Sequence, residues 1–580
     1  MIIFRVRSIL YVGENYQLYS HHYQMFVMKK ILFILACLLH SIMGSAQNTT
    51  CDWAYAHKGT NTFNGDIYNT AIDHQGNIIQ CGTIYGVADM DPGNGPADTA
   101  YTYPGYNYYI SKTDITGHLI WLKFFNSTSP VQSFSIDGIE INSQNEIIVL
   151  GEFFGLLDVD ISAAGVDTLR SFQPTYPDFF LAKYDSTGGL IWANSYGGTG
   201  GTLVACSMSL MSNDNIVVSF LPSINMDLNP GPGSATVTTL NGHLACYDTD
   251  GNYIWDNNIT NPYSYGVEAK TTGCDADNNI YLCTAGSNEM TVAKFNAAGN
   301  LLWEKKVGDF ATGSQAEAHS LLVYPDGRFF IVGNFYGTVD FDPGPGVLTY
   351  VSTSVIDMDG FFAAYDSSMT PIWVKAYTGG RIYFGRQSLA AMGTDLVTGG
   401  QIAGSVNIAP GVNFNSGTYG DFVLKTDAFG NMIGGDVFIS SGKTQTVNCD
   451  ATGRLILAGN FSGMSDMDLT PNNVYTLTSG NSSTSFVAVY ASPLAGLHHF
   501  DDSHSVSTYP NPARDIIHLT KPLNEIAEIR ITDINGKSII SQTLQPGETR
   551  LNTASLTTGV YLLHIKTEKS ATITRFITSK

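Results

Sequence analysis

The chain has 580 residues, of which only 14% are charged, with 59 glycines, 12% aromatic residues and a formal net charge of −21. A hydrophobic share of 43% is enough to build a core, which excludes an intrinsically disordered chain. Residues 1–46 and 508–580 each carry a net +3, leaving −27 on the body between them, and such a body repels nucleic acid and anionic membrane.

In chain order, the first element begins at Met28 with "MKKILFILACLLHSIMGSAQ". Lys29 and Lys30 form a positive start, Ile31 to Leu39 an apolar stretch, and Gly44-Ser45-Ala46 a small-residue cleavage site before Gln47. The pattern predicts a signal peptide over 28–46, with 1–27 a misassigned N-terminal extension. A lipoprotein cut before Cys37 is the runner-up. The apolar run is too short to span a bilayer, and no other segment is long and apolar enough. Of eight cysteines, Cys37 leaves with the signal. The seven others are an odd set in apolar strand patterns, read as buried free thiols; no spacing suggests zinc.

From Trp53 onward the chain repeats itself. "KTDITGHLIW" ends at Trp121, "KYDSTGGLIW" at Trp192, "CYDTDGNYIW" at Trp255, "KFNAAGNLLW" at Trp303 and "YDSSMTPIW" at Trp373. "KTDAFGNMIG" ends at Gly434, where the tryptophan is missing. A second phrase appears as "IDHQGNIIQCGTIYG" (Ile72–Gly86), "YPDGRFFIVGNFYG" (Tyr324–Gly337) and "CDATGRLILAGNFSG" (Cys449–Gly463). Both phrases read strand, Asp-x-x-Gly or similar, strand: Asp bonds the backbone of the turn and Gly takes the left-handed position of a hairpin. Two hairpins per unit give four strands, and four-stranded sheets repeated radially make a propeller. The indole is expected to wedge between neighbouring blades, a burial that stabilises by about 2–3 kcal/mol. "TTCDWAYAH" at the start is expected to supply the strand missing from the last unit and close the ring.

These phrases resemble the bacterial SBBP type of propeller repeat, whose units read like "akyDxxGnllW". The resemblance covers residues 53 to about 494 and implies an all-β fold, a seven-bladed β-propeller over 47–495. Quinoprotein-type repeats carry one more residue between Asp and Gly. Sialidase boxes are tighter and need several arginines, whereas this region has only Arg170, Arg328, Arg381, Arg386 and Arg454.

Most units carry an insert with a third phrase: Asp89 and Asp91 in "DMDPGNGPADT", Asp158 and Asp160 in "DVDISAAG", Asp340 and Asp342 in "DFDPGPG", Asp466 and Asp468 in "DMDLTPN", and "NMDLNPGPG" from Asn225. Two readings stay open. Alternating carboxylates supply hard oxygen ligands for Ca²⁺. Equally, Asp starts a turn, Pro fixes φ and Gly reverses the chain. Equivalent positions place all the inserts on one side of the ring, where a partner would bind. Tyr108-Tyr109 and Phe179-Phe180 read as core rather than as a carbohydrate platform. No catalytic signature is present.

After a linker at 496–507, the style changes. Alternating strands separated by "NG", "PGE" and "TTG" predict a small antiparallel, immunoglobulin-like sandwich over 508–580. Pro510-Asn511-Pro512, Asn535-Gly536-Lys537, Leu556, Gly559, Tyr561 and Leu562, in that order, closely resemble the type A C-terminal sorting domain of type IX secretion. The resemblance implies handling by that export machinery, then release or attachment at the cell surface. The expected function is a secreted or surface-displayed, non-enzymatic module binding a protein or glycan. The alternative is a polysaccharide-acting hydrolase or lyase. Converging carboxylates with histidine or arginine favour the enzyme; a bare, loop-decorated face favours binding.

Overall fold

The computed structural model describes residues 51–578 except 60–63, 91–98, 102–106, 126–133, 163–164, 201–203, 239–241, 259–267, 286–289, 309–312, 354–357, 410–411, 417–418, 439–441, 469–474, 480–482, 491–495, 498–507, 510–514, 520–525, 534–537, 558 and 567–570. The unit Met1–Gln47, with the expected signal peptide, lies outside the described residues. Among the described residues every regular element is a strand.

Four-strand antiparallel meanders follow one another along the chain. The first joins Asn64–Ile72, Ile78–Tyr85, Asn107–Thr113 and Leu119–Phe124. The second joins Phe134–Ile141, Ile147–Phe153, Asp178–Tyr184 and Leu190–Tyr196. The third runs from Val204–Leu210 to Tyr253–Asn258, the fourth from Glu268–Cys274 to Leu301–Val307, and the fifth from Gln315–Val323 to Pro371–Tyr377. Arg381–Met392, Asp395–Ala403, Gly420–Thr426 and Met432–Phe438 follow, then Lys443–Cys449, Leu455–Phe461 and Thr484–Tyr490. These last two groups share a nine-stranded sheet through a single parallel pair, Gln387 with Thr446.

The outer strand of the last group comes from the other end of the described chain. Cys51–Ala56 runs antiparallel to Thr484–Tyr490, with Trp53 opposite Val489 and Ala54 opposite Ala488. Buried His57 fixes the junction: its Nδ1 lies 2.6 Å from Ser485 Oγ, and its carbonyl accepts from Thr484 Oγ1 at 2.9 Å. The first strand of each group packs against the first strand of the next, and Lys443–Cys449 packs against Asn64–Ile72. The order of neighbours therefore closes on itself. Third strands such as Asp178–Tyr184 and Asp359–Tyr365 are buried throughout, whereas fourth strands such as Leu119–Phe124 are only half-buried.

Each Asp-x-x-Gly phrase forms one kind of turn. Asp114 Oδ1 accepts from the amides of Thr116 at 2.8 Å and His118 at 3.0 Å, while Gly117 sits at φ 91°. Met369 takes φ 59° at the equivalent place in "DSSM".

The tryptophans dock each group on the next by one recurring contact. Trp53 Nε1 donates to Ile115 O at 2.8 Å, Trp121 to Ser186 O at 3.3 Å and Trp192 to Thr249 O at 3.2 Å. Trp255 donates to Ala297 O at 3.2 Å and Trp373 to Ala428 O at 2.9 Å. Every acceptor lies two residues before the positive-φ glycine of the next Asp-x-x-Gly turn. A Cβ on Gly117, Gly251, Gly299 or Gly430 would lie 3.2, 2.9, 2.6 or 2.7 Å from an indole, so the ring rests on the bare glycine. All six indoles are half-buried rather than enclosed, so for the five that donate, part of the hold is the N–H bond rather than burial. Gly434 replaces tryptophan for a connectivity reason. The strand that follows Thr484–Tyr490 in space starts the described chain, so no hairpin joins the two strands to receive an indole; Gly434 pairs with Gly496 instead.

A second recurring contact lies inside the groups. The lysine that opens the tryptophan phrase reaches an acid in the turn after the first strand: Lys112 to Asp73 at 2.8 Å, Lys183 to Glu146 at 2.9 Å, Lys294 to Asp275 at 3.6 Å and Lys425 to Asp395 at 2.9 Å. In the third and fifth groups both partners are replaced together, by Cys246 with Met211 and by Ala364 with Tyr324. In the last group Val489 stands at the lysine position, and Asp450 pairs with Arg454 at 2.6 Å.

Near the C-terminus, Thr508–Tyr509, Ile516–Leu519 and Arg550–Asn552 form one sheet. Ser538–Leu544, Ala527–Asp533, Gly559–Lys566 and Ala571–Thr578 form another. Ile517, Leu519 and Leu551 from the first share a core with Ile529, Ile531, Leu563 and Ile565 from the second.

Candidate functional site

The inserts connect second to third strands, at the end of the meanders where the chain also crosses from one group to the next. They are short hairpins with a common register: Asp89 pairs with Thr99, Asp158 with Thr168, Asp227 with Thr236, Asp340 with Thr349 and Asp466 with Thr476. The equivalent residue in "NMDLNPGPG" is thus Asp227, two positions beyond Asn225, where the phrase was expected to begin.

The first carboxylate caps the loop. Asp158 Oδ1 accepts from the amides of Asp160 at 3.2 Å and Asp167 at 3.0 Å. Asp340 Oδ1 accepts from Asp342 at 3.0 Å and Leu348 at 2.7 Å. Asp466 Oδ1 accepts from Asp468 at 3.0 Å and Tyr475 at 2.8 Å. The second acid turns the tip: Asp160 Oδ1 accepts from Ser162 N at 2.9 Å and Asp342 Oδ1 from Gly344 N at 2.8 Å. Bonds from Ser162 hold the Asp160 carboxyl below the usual range. A Cβ on Gly165 or Gly346 would lie 1.6 Å from Asp160 Oδ2 or 1.9 Å from Asp342 Oδ2, so each carboxylate lies against a bare glycine. Asp89 is half-buried and Asp91 lies outside the described residues. Among the described residues no three His, Cys, Asp or Glu side chains gather as metal ligands. Chelation with EDTA is accordingly expected to move the thermal midpoint by less than about 1 °C, read by circular dichroism; a drop of several degrees would favour the cation reading.

Each innermost strand carries a bulge. In the first, second, third, fourth, fifth and last groups Tyr68, Asp137, Cys206, Lys270, His319 and Gln445 fall at the unpaired position. The glycine of "CGTIYG" and "VGNFYG" faces it: a Cβ on Gly82 or Gly333 would lie 1.9 Å from the carbonyl oxygen of Asp66 or Glu317. In Arg381–Met392 the bulge widens, with Phe384 opposite Gly400 but Leu389 opposite Thr398. The extra residues reach across the ring of first strands. Arg386 Nη1 meets Asp137 Oδ1 at 3.2 Å, and Gln387 Oε1 accepts from Thr70 N at 3.2 Å. A cavity of about 170 Å³ lies there, lined by Asn69, Asp137, Glu140, Ser207, Thr272 and Gln387 among others. Burial pushes the Glu140 carboxyl up to about 7.

A second cavity, about 370 Å³, lies between the fifth and sixth groups toward the insert-bearing end. Glu317 and His319 come from one first strand, Arg381, Ile382 and Tyr383 from the next, with Asn334 and Met358 completing the wall. Asn334 Nδ2 donates to Ile382 O at 2.9 Å, tying the two groups together. Glu317 Oε1 accepts from Gln315 Nε2 at 2.7 Å, and Tyr383 is 39% exposed. Sequence reading counted Arg381 but missed this cavity, whose members come together only through group-to-group packing. The aromatic pairs are core: Tyr109, Phe179 and Phe180 are fully buried. So are the described thiols in the main, with burial pushing Cys81 and Cys246 up to about 12.

In the C-terminal sheets, Gly559 opens a strand opposite Thr578, and Tyr561 is buried with its hydroxyl donating to Thr557 O at 3.1 Å. Pro510, Asn511, Pro512, Gly536 and Lys537 lie outside the described residues. Residues 507–579 match the family model of the secretion system C-terminal sorting domain. The chain carries a secretion sorting tail. That tail assigns the protein to type IX secretion, and so to the cell surface or extracellular space. No helix among the described residues is long and apolar enough to cross a membrane. No curated protein matches the sequence.

Three similar solved structures are distant. A protein of unknown function from Bacteroides caccae is 10% identical, with TM-score 0.29 over 57% of this chain and 90% of its own. Phage phi92 endosialidase is 11% identical, with TM-score 0.34 over 91% and 87%. Rhamnogalacturonan lyase YesW is 10% identical, with TM-score 0.31 over 78% and 76%. Likeness of this degree carries no argument about activity.

Proposed function

We propose that this protein is an exported seven-bladed β-propeller of the SBBP-repeat type that binds an extracellular protein or glycan on its insert-bearing face. In this reading a signal peptide at 28–46 starts export. The propeller occupies 47–495, and a linker at 496–507 leads to the immunoglobulin-like sorting domain at 508–580. The ladder between Cys51–Ala56 and Thr484–Tyr490 supports closure, because the start of the described chain supplies the outer strand of the last group.

The observation that carries the binding role is the cavity between the fifth and sixth groups, which combines a largely apolar wall with a few convergent polar groups. Exposed apolar side chains on or beside the inserts add to it: Val166 at 79%, Phe172 at 61% and Val347 at 80%. The Asp-rich loops are read as self-sufficient turns, with Ca²⁺ as the competing reading.

A second reading, a polysaccharide-acting hydrolase or lyase, is favoured by Glu317 and His319 lining the same cavity as Arg381, since a carboxylate and an imidazole are the usual acid–base pair. The test is a binding screen of the exported chain against glycans and purified surface proteins, with hydrolysis and elimination assayed in parallel. Saturable binding without turnover is expected; turnover abolished by Glu317→Gln or His319→Gln would establish the enzyme instead.

A further inference from the structure

We propose that the cavity between the fifth and sixth groups takes the terminal residue of a neutral glycan; this rests on the binding role given above to that face. Charge decides against an acidic ligand. The formally charged side chains of the wall, histidine counted neutral, are one carboxylate, Glu317, and one guanidinium, Arg381, so the cavity offers no formal net charge to a uronate or sialate. Around it the body carries −27 and repels polyanions at long range.

Chemistry selects a sugar. A hydroxyl both donates and accepts, and the wall supplies both functions: acceptor oxygens on Glu317, donor N–H groups on Arg381, and both on Tyr383 and His319. Tyr383, Met358 and Ile382 add the apolar surface against which the C–H face of a pyranose packs. Size selects a chain end. At about 370 Å³ the cavity falls at the small end of ligand sites, room for little more than one sugar ring. A protein partner would instead need about 800 Å² of surface on each side.

The test titrates the full exported chain by calorimetry with gluco-, manno- and galacto-trioses. Oligogalacturonate is the acidic comparator, and a cyclic glucan is the comparator without ends. Tyr383→Ala and Arg381→Met alter the cavity at exposed positions. Arg328→Met, on an exposed turn at the opposite end where Arg328 Nε meets Asp326 Oδ2 at 2.7 Å, is the control. Thermal melts verify that all three fold.

One neutral triose series is expected to bind, the cyclic glucan is not, and each cavity variant should weaken binding about tenfold or more while Arg328→Met does not. Preference for oligogalacturonate, equal binding of the cyclic glucan, or a neutral sugar whose affinity ignores Tyr383 and Arg381 overturns the inference while leaving a binding role in place. Failure of every sugar, with or without a protein ligand found in the parallel screen, overturns it too. Only failure of sugars and proteins together also removes the binding role.

Discussion

Trp373→Ala is expected to destabilise the protein by about 3 kcal/mol in chemical denaturation, the low end for loss of a large aromatic because the indole is half-buried. It removes a 2.9 Å bond to Ala428 O and a face that packs edge-on against Phe362 at 5.0 Å between ring centres. Trp373→Phe keeps a ring and loses the bond, so about 1 kcal/mol is expected. Gly430→Ala attacks the same contact from the other side: its φ is +74°, and the new methyl would lie 2.7 Å from the indole. The two changes must therefore couple. In the Trp373→Ala background the clash is gone, and Gly430→Ala should cost only its backbone strain, about 1–2 kcal/mol. Strict additivity would mean that indole and glycine do not meet.

The second large effect is electrostatic. Lys112 and Asp73 lie 2.8 Å apart with side chains 7% and 2% exposed. Lys112→Met leaves a buried carboxylate without its cation and is expected to cost about 3 kcal/mol at pH 7. The double variant Lys112→Met with Asp73→Met should recover most of this, because the third group already lives with Cys246 and Met211 at these places. Burial opposes ionisation of Asp73, but Lys112 and Asn77 outweigh it and hold the carboxyl below its usual range. A depressed folded pKa gives stability that is full above the unfolded value of about 4 and is lost as pH falls through the folded one. The gap between wild type and Lys112→Met should accordingly narrow below about pH 4. A gap independent of pH would show that packing, not charge, holds the pair.

Local physics made the repeat readable. Asp-x-x-Gly turns and alternating strands advertise themselves within ten residues, and the tryptophan phrase gave the docking residue, although half-burial and a shared N–H bond replaced the expected enclosed wedge. The strand at Trp53 was legible because a lone tryptophan strand at one end answered an incomplete unit at the other. The lysine–acid pairs were equally available, since Lys and acid are kept together in four units and lost together in two, but seeing them needed the two phrases aligned rather than each read alone. The insert register was misplaced at Asn225 because its Asn-x-Asp mimics the Asp-x-Asp of its neighbours; only the ladder to Thr236 identifies Asp227 as the capping residue. The widened bulge at 385–388 and the cavity of Glu317, His319, Arg381 and Tyr383 left no local trace. These four cavity members lie on two first strands and meet only once the groups are packed side by side.

Ring closure is the step on which the proposed seven-bladed propeller rests, and a disulfide tests it most directly. Ala54 and Ala488 are directly opposite in the antiparallel ladder, though 434 positions apart in the chain. In the exported Ala54→Cys/Ala488→Cys protein, mass spectrometry of non-reduced peptides should find the two positions joined within one molecule, and the thermal midpoint should rise on oxidation. Thiols that stay free, or that join only between molecules, would contradict a closed ring.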